Sequence, residues 1–539
     1  MAFITFSLHH TLYILFLTVG GLLILNKMIF RFSNKSGVGV ISISLISIIT
    51  FFSVWGYTRF GEFHDYGNYG KHPYHYSEIY SYAMGAKYFK ELGYFGIYDF
   101  TYVGMRELQN EGVQIPKIYT IRSLKDIDVP IPADIVYLEQ KDKYLSHFSP
   151  ERWKSFKNDI KTFLSFGCID SMWQPMLYDL GFNSPPTWVT FASGWVANLF
   201  PFTQKTMEHF AFIDMFLVII LAGYFVFRSF GFYPFCAYLI VFGTNGVASY
   251  AWTGGSFFRQ DWFCSLVLAL CFMKEENYML SGVFFGLSTC LRAFPLFFFV
   301  GAAWSLLYKV YKDRALLNNF LVFSLSGALT MLLLFYLSVC FYGIGCWHDF
   351  LEKIINHNNQ FFVNHICYKK FFVFSKDIGN QNFWFDEGLR RFLIWQGHLE
   401  QLILSKYVLF NTIKFTMLAS SLIIALTVPV YLASFIVGGT LLFFFAMPAC
   451  YYYVYLAIVP ALFFSLSGRW TDVLRMALIF VLLIYILITP FLSNDDIIEN
   501  GYINTMVFYF WVAIHLTFWV EISQLKLKDF ITYNENQRR

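Results

Sequence analysis

The chain has 539 residues, of which 57% are hydrophobic, 22% are aromatic and only 14% are charged. Soluble domains carry about 25% charged residues, so the composition excludes an ordinary soluble domain and indicates a membrane protein. The formal net charge is +4, and the Lys and Arg residues lie in short connections between apolar runs, which argues against a nucleic-acid partner.

Apolar runs long enough to cross about 30 Å of hydrocarbon recur along the chain. They predict an all-α polytopic membrane protein with about 13 transmembrane helices. The predicted spans are 9–30, 38–57, 207–228, 232–252, 261–273, 278–292, 295–311, 318–342, 408–428, 431–447, 452–467, 474–492 and 503–523. The first run lacks the features of a cleaved signal peptide, so we expect it to be retained as a span.

These spans divide the chain into five parts. Residues 1–57 hold the first two spans, 58–206 form a first large extracytoplasmic loop with an interfacial helix, and 207–342 form a transmembrane core. Residues 343–407 form a second extracytoplasmic loop, and 408–539 form a C-terminal bundle with a cytoplasmic tail.

The orientation follows from the basic residues of the short connections. Lys27, Arg31 and Lys35 lie in the first connection, which the positive-inside rule places in the cytoplasm. Alternating sides then places the later basic connections inside and both large loops outside. The N-terminus is predicted outside and the C-terminus inside. Most of the unusual polar residues then collect at the outer face, which favours an outward-facing enzyme over a channel or a transporter.

The first large loop opens with "YHYSEIYSYAMGAKYFKELGY", Tyr74–Tyr94. Its pattern predicts a helix with Ser77 as N-cap and Gly93 as the C-terminal stop. Two interpretations stay open: a tyrosine-rich anchor at the level of the lipid headgroups, or a helix whose Glu78 is a catalytic general base. Asp65 and Glu62 lie slightly upstream and compete for the same role.

Three histidines lie near these acids: His64, His72 and His75. Their spacing matches no closed metal motif, so we predict no metal ligands. No cofactor is expected, and a divalent cation stays an open alternative.

Charged residues recur at the ends of two apolar runs. Arg259 and Asp261 are two residues apart and do not face each other on a helix, so each needs another partner. Arg292 lies in an apolar setting and needs an acid or an anion. Either a pair with Asp261 or a contact with a phosphate group would satisfy it.

The second long segment contains "KIINHNNQFFVNHICYKKFF". Its basic and amide residues are His357, Asn364, His365, Lys369 and Lys370. They form either a solvated loop face or a cationic pocket for a phosphate headgroup. Further on, the tyrosines of "YYYVY" (Tyr451–Tyr455) are typical of an aromatic belt and can also stack on sugar rings.

The sequence has no Walker-type loop, no dinucleotide fingerprint and no Gly-x-Ser-x-Gly motif. Chemistry driven by a nucleotide is therefore not predicted. An activated substrate at the outer face would have to arrive without a nucleotide, for instance on a lipid carrier.

Several segments, in this order, resemble the C-type (GT-C) membrane glycosyltransferase superfamily, in particular bacterial mannosyltransferases that depend on polyprenol-phosphate-mannose, and relatives. The segments are "EIYSYAMGAKYFKELGYFGIY" (Glu78–Tyr98), "RQDWF" (Arg259–Phe263) with "GLSTCLRAFPLFF" (Gly286–Phe298), "NHICYKKFF" (Asn364–Phe372) and "CYYYVYLAIVPALF" (Cys450–Phe463).

The resemblance implies a GT-C-like fold in a bacterial inner membrane, with the active site facing the periplasm. It implies a sugar donor linked to polyprenyl phosphate, a lipid, glycan or protein acceptor, and inversion at the anomeric carbon. Membrane lipids are the other expected partners.

The resemblance also implies roles for single residues. Glu78 matches the acid that acts as base, because it precedes the Gly-Ala-Lys-Tyr-Phe core; the superfamily acid is more often Asp, so Asp65 stays an alternative. The predicted ligands of the donor phosphate are Arg259, Arg292, His365 and Lys369. The predicted sugar or acceptor contacts are Asp261, Tyr82, His357, Asn364 and Tyr452.

Two other functions stay open from the sequence. A lipid or solute transporter, or a flippase with large outer loops, would place polar residues at mid-bilayer. A non-enzymatic assembly or anchoring subunit would tolerate simultaneous neutralisation of Glu78, Arg259 and Arg292.

Overall fold

The computed structural model of the chain describes residues 2–32, 40–67, 70–125, 130–166, 170–190, 194–362, 364–374, 397–466, 468–493 and 496–538. The described chain is mostly helical, and seven of its helices are long and apolar enough to cross a membrane. They are Leu8–Phe30, Val40–Tyr57, Gln204–Phe230, Arg314–Tyr342, Tyr407–Ile424, Trp470–Leu492 and Ile498–Gln524. The prediction of an all-α polytopic membrane protein is therefore confirmed.

Shorter apolar helices occupy the other predicted spans. They are Phe232–Thr244, Asp261–Lys274, Tyr278–Leu291, Leu296–Lys312, Val430–Phe445 and Cys450–Phe464. These helices are shorter than the roughly 20 residues that a perpendicular crossing needs. The span count of about 13 stays a prediction.

Two of the shorter helices lie at the centre of the bundle. Nearly every residue of Asp261–Lys274 and of Val430–Phe445 is buried, as expected for helices that are apolar on all sides. Small residues bring the helices close together. A Cβ atom on Gly286 would lie 2.6 Å from the carbonyl oxygen of Gly327, and one on Gly438 would lie 2.6 Å from the Phe298 ring. Glycine allows this close backbone approach between membrane helices.

The first large loop folds into short helices and two small antiparallel hairpins. The hairpins pair His64–Asp65 with Lys71–His72 and Thr120–Arg122 with Pro130–Pro132. The main helices are Tyr76–Ile79, a π-helical segment Tyr80–Met84, Gly85–Lys87, Phe89–Leu92, Ile97–Asn110, Ala133–Leu145, Pro150–Ser165, Asp170–Met176, Pro186–Trp188 and Gly194–Leu199. The second large loop contributes Gly345–Asn359 and Tyr368–Val373.

The tyrosine-rich helix differs from the predicted headgroup anchor. Tyr80, Tyr88 and Tyr94 are almost completely buried inside the loop. Their hydroxyls bond to protein: Tyr80 to Thr101 at 2.6 Å, Tyr88 to Asp159 at 2.5 Å and Tyr94 to a backbone oxygen at 2.7 Å. A buried tyrosine needs such a partner, and these partners hold the rings inside the protein, away from a lipid surface.

The start of this helix also differs from the prediction. The N-cap is His75 and not Ser77, because His75 is the extended residue before the first turn. Its Nδ1 accepts the backbone N–H of Glu78 at 3.4 Å. The predicted stop at Gly93 is confirmed, and this glycine has φ +56°.

Candidate functional site

The first turn of the tyrosine-rich helix presents Glu78 to a buried arginine. The Oε2 atom of Glu78 lies 2.8 Å from the Nε atom of Arg259. The two side chains are only 16% and 2% exposed. The π-helical segment that follows, Tyr80–Met84, is a feature often found at functional sites.

The turn that carries Arg259 is held by a carboxylate from another helix. Asp214, in the helix Gln204–Met215, accepts the backbone N–H of Arg259 at 2.8 Å. Gln260 donates to the Tyr57 hydroxyl at 3.1 Å. Phe258 has φ +49°, which is strained for an aromatic residue, and such strain persists only where the surroundings enforce it.

Aromatic rings enclose the guanidinium group of Arg259. It lies 4.1 Å from the centre of the Tyr82 ring and 4.9 Å from that of Tyr451. Its Nη1 donates to the Tyr82 hydroxyl, which in turn donates to Asn183 at 2.5 Å. Stacking on aromatic faces stabilises a desolvated cation.

Arg292 approaches the same place from the end of the helix Tyr278–Leu291. It is 3% exposed, and its guanidinium lies 5.4 Å from the Trp188 ring centre. It donates to the backbone oxygens of Leu291 at 2.6 Å and Phe258 at 3.5 Å, while its buried Nε has no hydrogen-bond partner in the described part of the chain.

Asp261 does not form a direct ion pair with Arg292 among the described residues. Its Oδ2 accepts the indole N–H of Trp188 at 2.9 Å, and its Oδ1 accepts the backbone N–H of Trp262 at 2.8 Å. Trp188 therefore lies between the two charges. Arg259 and Asp261 do find separate partners, as their spacing predicts.

The electrostatics of Glu78 suit proton transfer. Burial raises the pKa of Glu78 above its ordinary value, while the nearby charges of Arg259 and Arg292 act in the opposite direction. Burial raises the pKa of the carboxyl group and so makes it more basic, while the neighbouring cation favours its ionised form. A general base needs both properties.

Close backbone contact joins the first loop to the arginine turn. Gly255 has φ +68°, and a Cβ atom there would lie 1.8 Å from the carbonyl oxygen of Pro73. Its own carbonyl accepts the N–H of His75 at 2.9 Å, and the Nε2 of His64 lies 2.7 Å from the carbonyl oxygen of Gly254. This contact fixes the helix of Glu78 relative to Arg259.

The second loop is fastened beside the same site. His365 pairs with Ala449 as an isolated antiparallel bridge, and the carbonyl of Asn364 accepts the N–H of Cys450 at 2.7 Å. From the last helix, the Asn504 side chain donates to the carbonyl of His365 at 3.2 Å. Because Tyr451 stacks on Arg259 only two residues after Ala449, the two loops meet at one site.

The remaining predicted residues lie at different distances from this centre. Tyr452 packs against Trp262 and Phe294, with its hydroxyl close enough to influence Arg259. The rings of His357 and His365 are 5.3 Å apart. Lys369 is half-buried with its Nζ 4.5 Å from the Phe361 ring centre.

Asp65, the alternative base, lies in a different setting. It is exposed in the first hairpin, where its carboxylate accepts the N–H of Gly67 at 2.9 Å. Among the described residues it has no contact with Glu78 or Arg259.

No metal site coincides with these residues. In the parts of the chain described, the one group of three closely spaced metal-binding side chains is His348, Asp349 and Glu352. This group lies on the helix Gly345–Asn359 and includes none of the predicted site residues.

Three further residues of the candidate site were not predicted from the sequence. The sequence contained a signal for Asp214, because a carboxylate inside an apolar run is energetically costly and therefore indicates a functional site. Trp188 and Asp179 had none, because they lie in polar loop sequence. Burial raises the pKa of Asp179, with the charge of Glu78 adding to the effect, although the Asp179 side chain is exposed.

The fold and site define a helical polytopic membrane protein with a buried carboxylate–arginine centre between two large loops. No protein-family model, no curated protein and no solved structure matches the chain.

Proposed function

We propose that this protein is a membrane glycosyltransferase of the GT-C type. In this proposal it moves a sugar from a polyprenyl-phosphate donor to an acceptor hydroxyl at the extracytoplasmic face, with inversion. The observation that carries the proposal is the buried Glu78 carboxylate held 2.8 Å from Arg259, with Arg292 close by and aromatic rings around both arginines.

The chemistry assigns one role to each part of the site. Glu78 takes the proton of the acceptor hydroxyl, whose oxygen attacks the anomeric carbon as the bond to the phosphate oxygen breaks. The phosphate leaves with the electron pair of that bond. Arg259 and Arg292 stabilise the negative charge that develops on the leaving phosphate. Such electrostatic stabilisation by fixed charges is usually the largest single contribution to catalysis.

The surroundings support the same reaction. Tyr451 and Tyr452 are partly exposed and offer ring faces to a sugar, while the buried rings of Tyr82 and Trp188 pack against the arginines. In the proposed topology of about 13 spans, both large loops face outward and the lipid tail of the donor stays in the bilayer. Asp261 holds Trp188 in place through its indole N–H.

The test is sugar transfer in membranes supplied with a set of polyprenyl-phosphate sugars. Glu78→Gln is expected to lower the rate by about 10²- to 10⁴-fold, the usual contribution of a general base. Glu62→Gln is the matched control, because Glu62 is a partly exposed acid of the same loop that pairs with Lys71.

Asp65→Asn tests the alternative base and is expected to retain the rate. Full activity of Glu78→Gln with loss in Asp65→Asn would reverse the assignment. Uptake of substrate into proteoliposomes with no covalent product would replace the proposal by transport.

A further inference from the structure

A second set of basic side chains lies in the second loop, and it is buried except for one partly exposed histidine. Lys353 and His357 are four residues apart on the helix Gly345–Asn359 and therefore share a face. The His365 ring lies 5.3 Å from the His357 ring. We refer to Lys353, His357 and His365 as the lysine–histidine cluster. Lys353 is 3% exposed and His365 is 1% exposed.

The polar groups of this cluster are poorly satisfied. Within the described residues, the Nζ of Lys353 makes one hydrogen bond, to the Tyr94 carbonyl at 3.0 Å. Neither ring nitrogen of His365 has a hydrogen-bond partner of normal geometry there, although the Gln360 backbone is near enough to act on the ring. No described carboxylate lies within ion-pair distance of the cluster. Buried basic groups are costly without an anion.

Burial has marked effects on the charges of the cluster. It lowers the pKa of Lys353 to about 7, against the opposing effect of Asp179. It also lowers the pKa of His357 to about 4. An anion bound here would stabilise the charged lysine and accept hydrogen bonds from the histidines.

A series of buried aromatic rings in contact with one another extends from Arg259 to the helix of Lys353. Tyr82, which stacks on Arg259, is 5.5 Å from Phe182. Phe182 stacks on Tyr94 at 5.7 Å, and Tyr94 is 5.8 Å from Phe350 on the helix of Lys353.

Asp179 connects the two ends electrostatically. It is within the range at which charges act on both Glu78 and Lys353. The proposed base and the lysine–histidine cluster therefore both lie within electrostatic range of the same carboxylate.

We propose that the lysine–histidine cluster is a second oxyanion-binding subsite, which holds a phosphate or carboxylate group of the acceptor. This proposal rests on the proposed function. A donor with a single phosphate needs one cationic site, which Arg259 and Arg292 provide beside Glu78. The second site then serves the other substrate, and it orients an acceptor hydroxyl towards Glu78. The acceptor is therefore anionic.

The test uses the full chain in phosphatidylcholine nanodiscs with inorganic phosphate as the probe. Binding is measured as the rise in thermal unfolding temperature with phosphate concentration. Lys353→Met is expected to weaken phosphate binding at the lysine–histidine cluster at least tenfold. Arg292→Met is expected to leave phosphate binding at this cluster unchanged. Lys90→Met is the control, because Lys90 is an exposed lysine of the first loop. His357→Gln gives a second test if Lys353→Met fails to fold.

The outcomes separate the alternatives. Unchanged phosphate binding in both Lys353→Met and His357→Gln overturns the proposal. An equal loss of phosphate affinity in Lys353→Met and Arg292→Met also overturns it, because that result would indicate one shared site. Nanodiscs with an added polyprenyl phosphate test the source: if this lipid needs Lys353 and not Arg292, the subsite belongs to the donor and the proposal is wrong. Glucuronate in place of phosphate tests a carboxylate. Because binding is read without sugar transfer, absence of transfer with every donor would refute the proposed function, while these results still decide whether the cluster binds oxyanions.

Discussion

Replacing Gly255 by alanine tests whether backbone contact between the first loop and the arginine turn sets the geometry of the site. Two costs are expected. An alanine at φ +68° costs roughly 1–2 kcal/mol of conformational strain. The new Cβ would also lie 1.8 Å from the Pro73 carbonyl oxygen, where real Cβ atoms essentially never come within 3.0 Å, so the segment of Pro73 and His75 must move by about 1.2 Å or more.

This displacement acts directly on the proposed base. Glu78 lies one turn after His75, and its contact with Arg259 is only 2.8 Å. A misplacement of about 1 Å costs about 10²-fold in rate, which corresponds to about 2.7 kcal/mol of transition-state stabilisation. We therefore expect Gly255→Ala to lower sugar transfer about 100-fold while the protein remains folded.

Gly112→Ala separates strain from displacement. Gly112 has φ +87°, but nothing lies within 4 Å of the position of its added Cβ. This variant should lose only the stability that the strain costs, about 1–2 kcal/mol, and keep its transfer rate. Thermal unfolding in detergent and sugar transfer in membranes measure the two effects. Equal transfer rates for the two variants would refute the idea that this contact positions Glu78.

Asp214→Ala should lower the free energy of unfolding by about 1–3 kcal/mol, because the backbone N–H of Arg259 loses its acceptor. Asp214→Asn keeps an oxygen acceptor and should retain most of the wild-type stability. Thermal unfolding measures both variants. Arg475→Met should lower the free energy of unfolding by about 3–5 kcal/mol, because this fully buried arginine pairs with two carboxylates. Arg228→Met removes a half-exposed ion pair and should lower it by about 0–1 kcal/mol. Equal losses of stability in the two variants would contradict the role given to burial. The transfer rate should rise with pH through an acid limb above pH 4.5, because burial raises the pKa of Glu78 and a base works ionised; a rate profile that stays flat from pH 4.5 to 7 would contradict this role.

Much of the fold could be predicted because hydropathy depends on local sequence. Within the described residues, each predicted apolar run is largely helical, and seven of the helices are long and apolar enough to span a membrane. Hydropathy could not show which runs form short central helices, since that depends on close packing at positions such as Gly286 and Gly438.

The site was predictable only in part. Arg259 and Arg292 were detectable because a charge at the end of an apolar run needs a partner. That Glu78 is the partner of Arg259 depends on tertiary contacts at Gly255, about 180 residues along the chain from the acid, and no local pattern contains them. The burial of the tyrosines was missed for the same reason: an amphipathic aromatic helix has one sequence pattern whether it faces lipid or protein.

The side chain of Asn504 has a consequence for how the protein is made. It donates to the carbonyl of His365 and accepts the N–H of Cys367 at 2.6 Å, so the last membrane helix secures a loop that emerges from the ribosome about 140 residues earlier. The nascent chain can thus insert most of its predicted spans before this contact with the second loop forms. Synthesis of the helix that carries Asn504 then fixes the loop beside the site, so we expect a chain interrupted before Asn504 to lack this anchor.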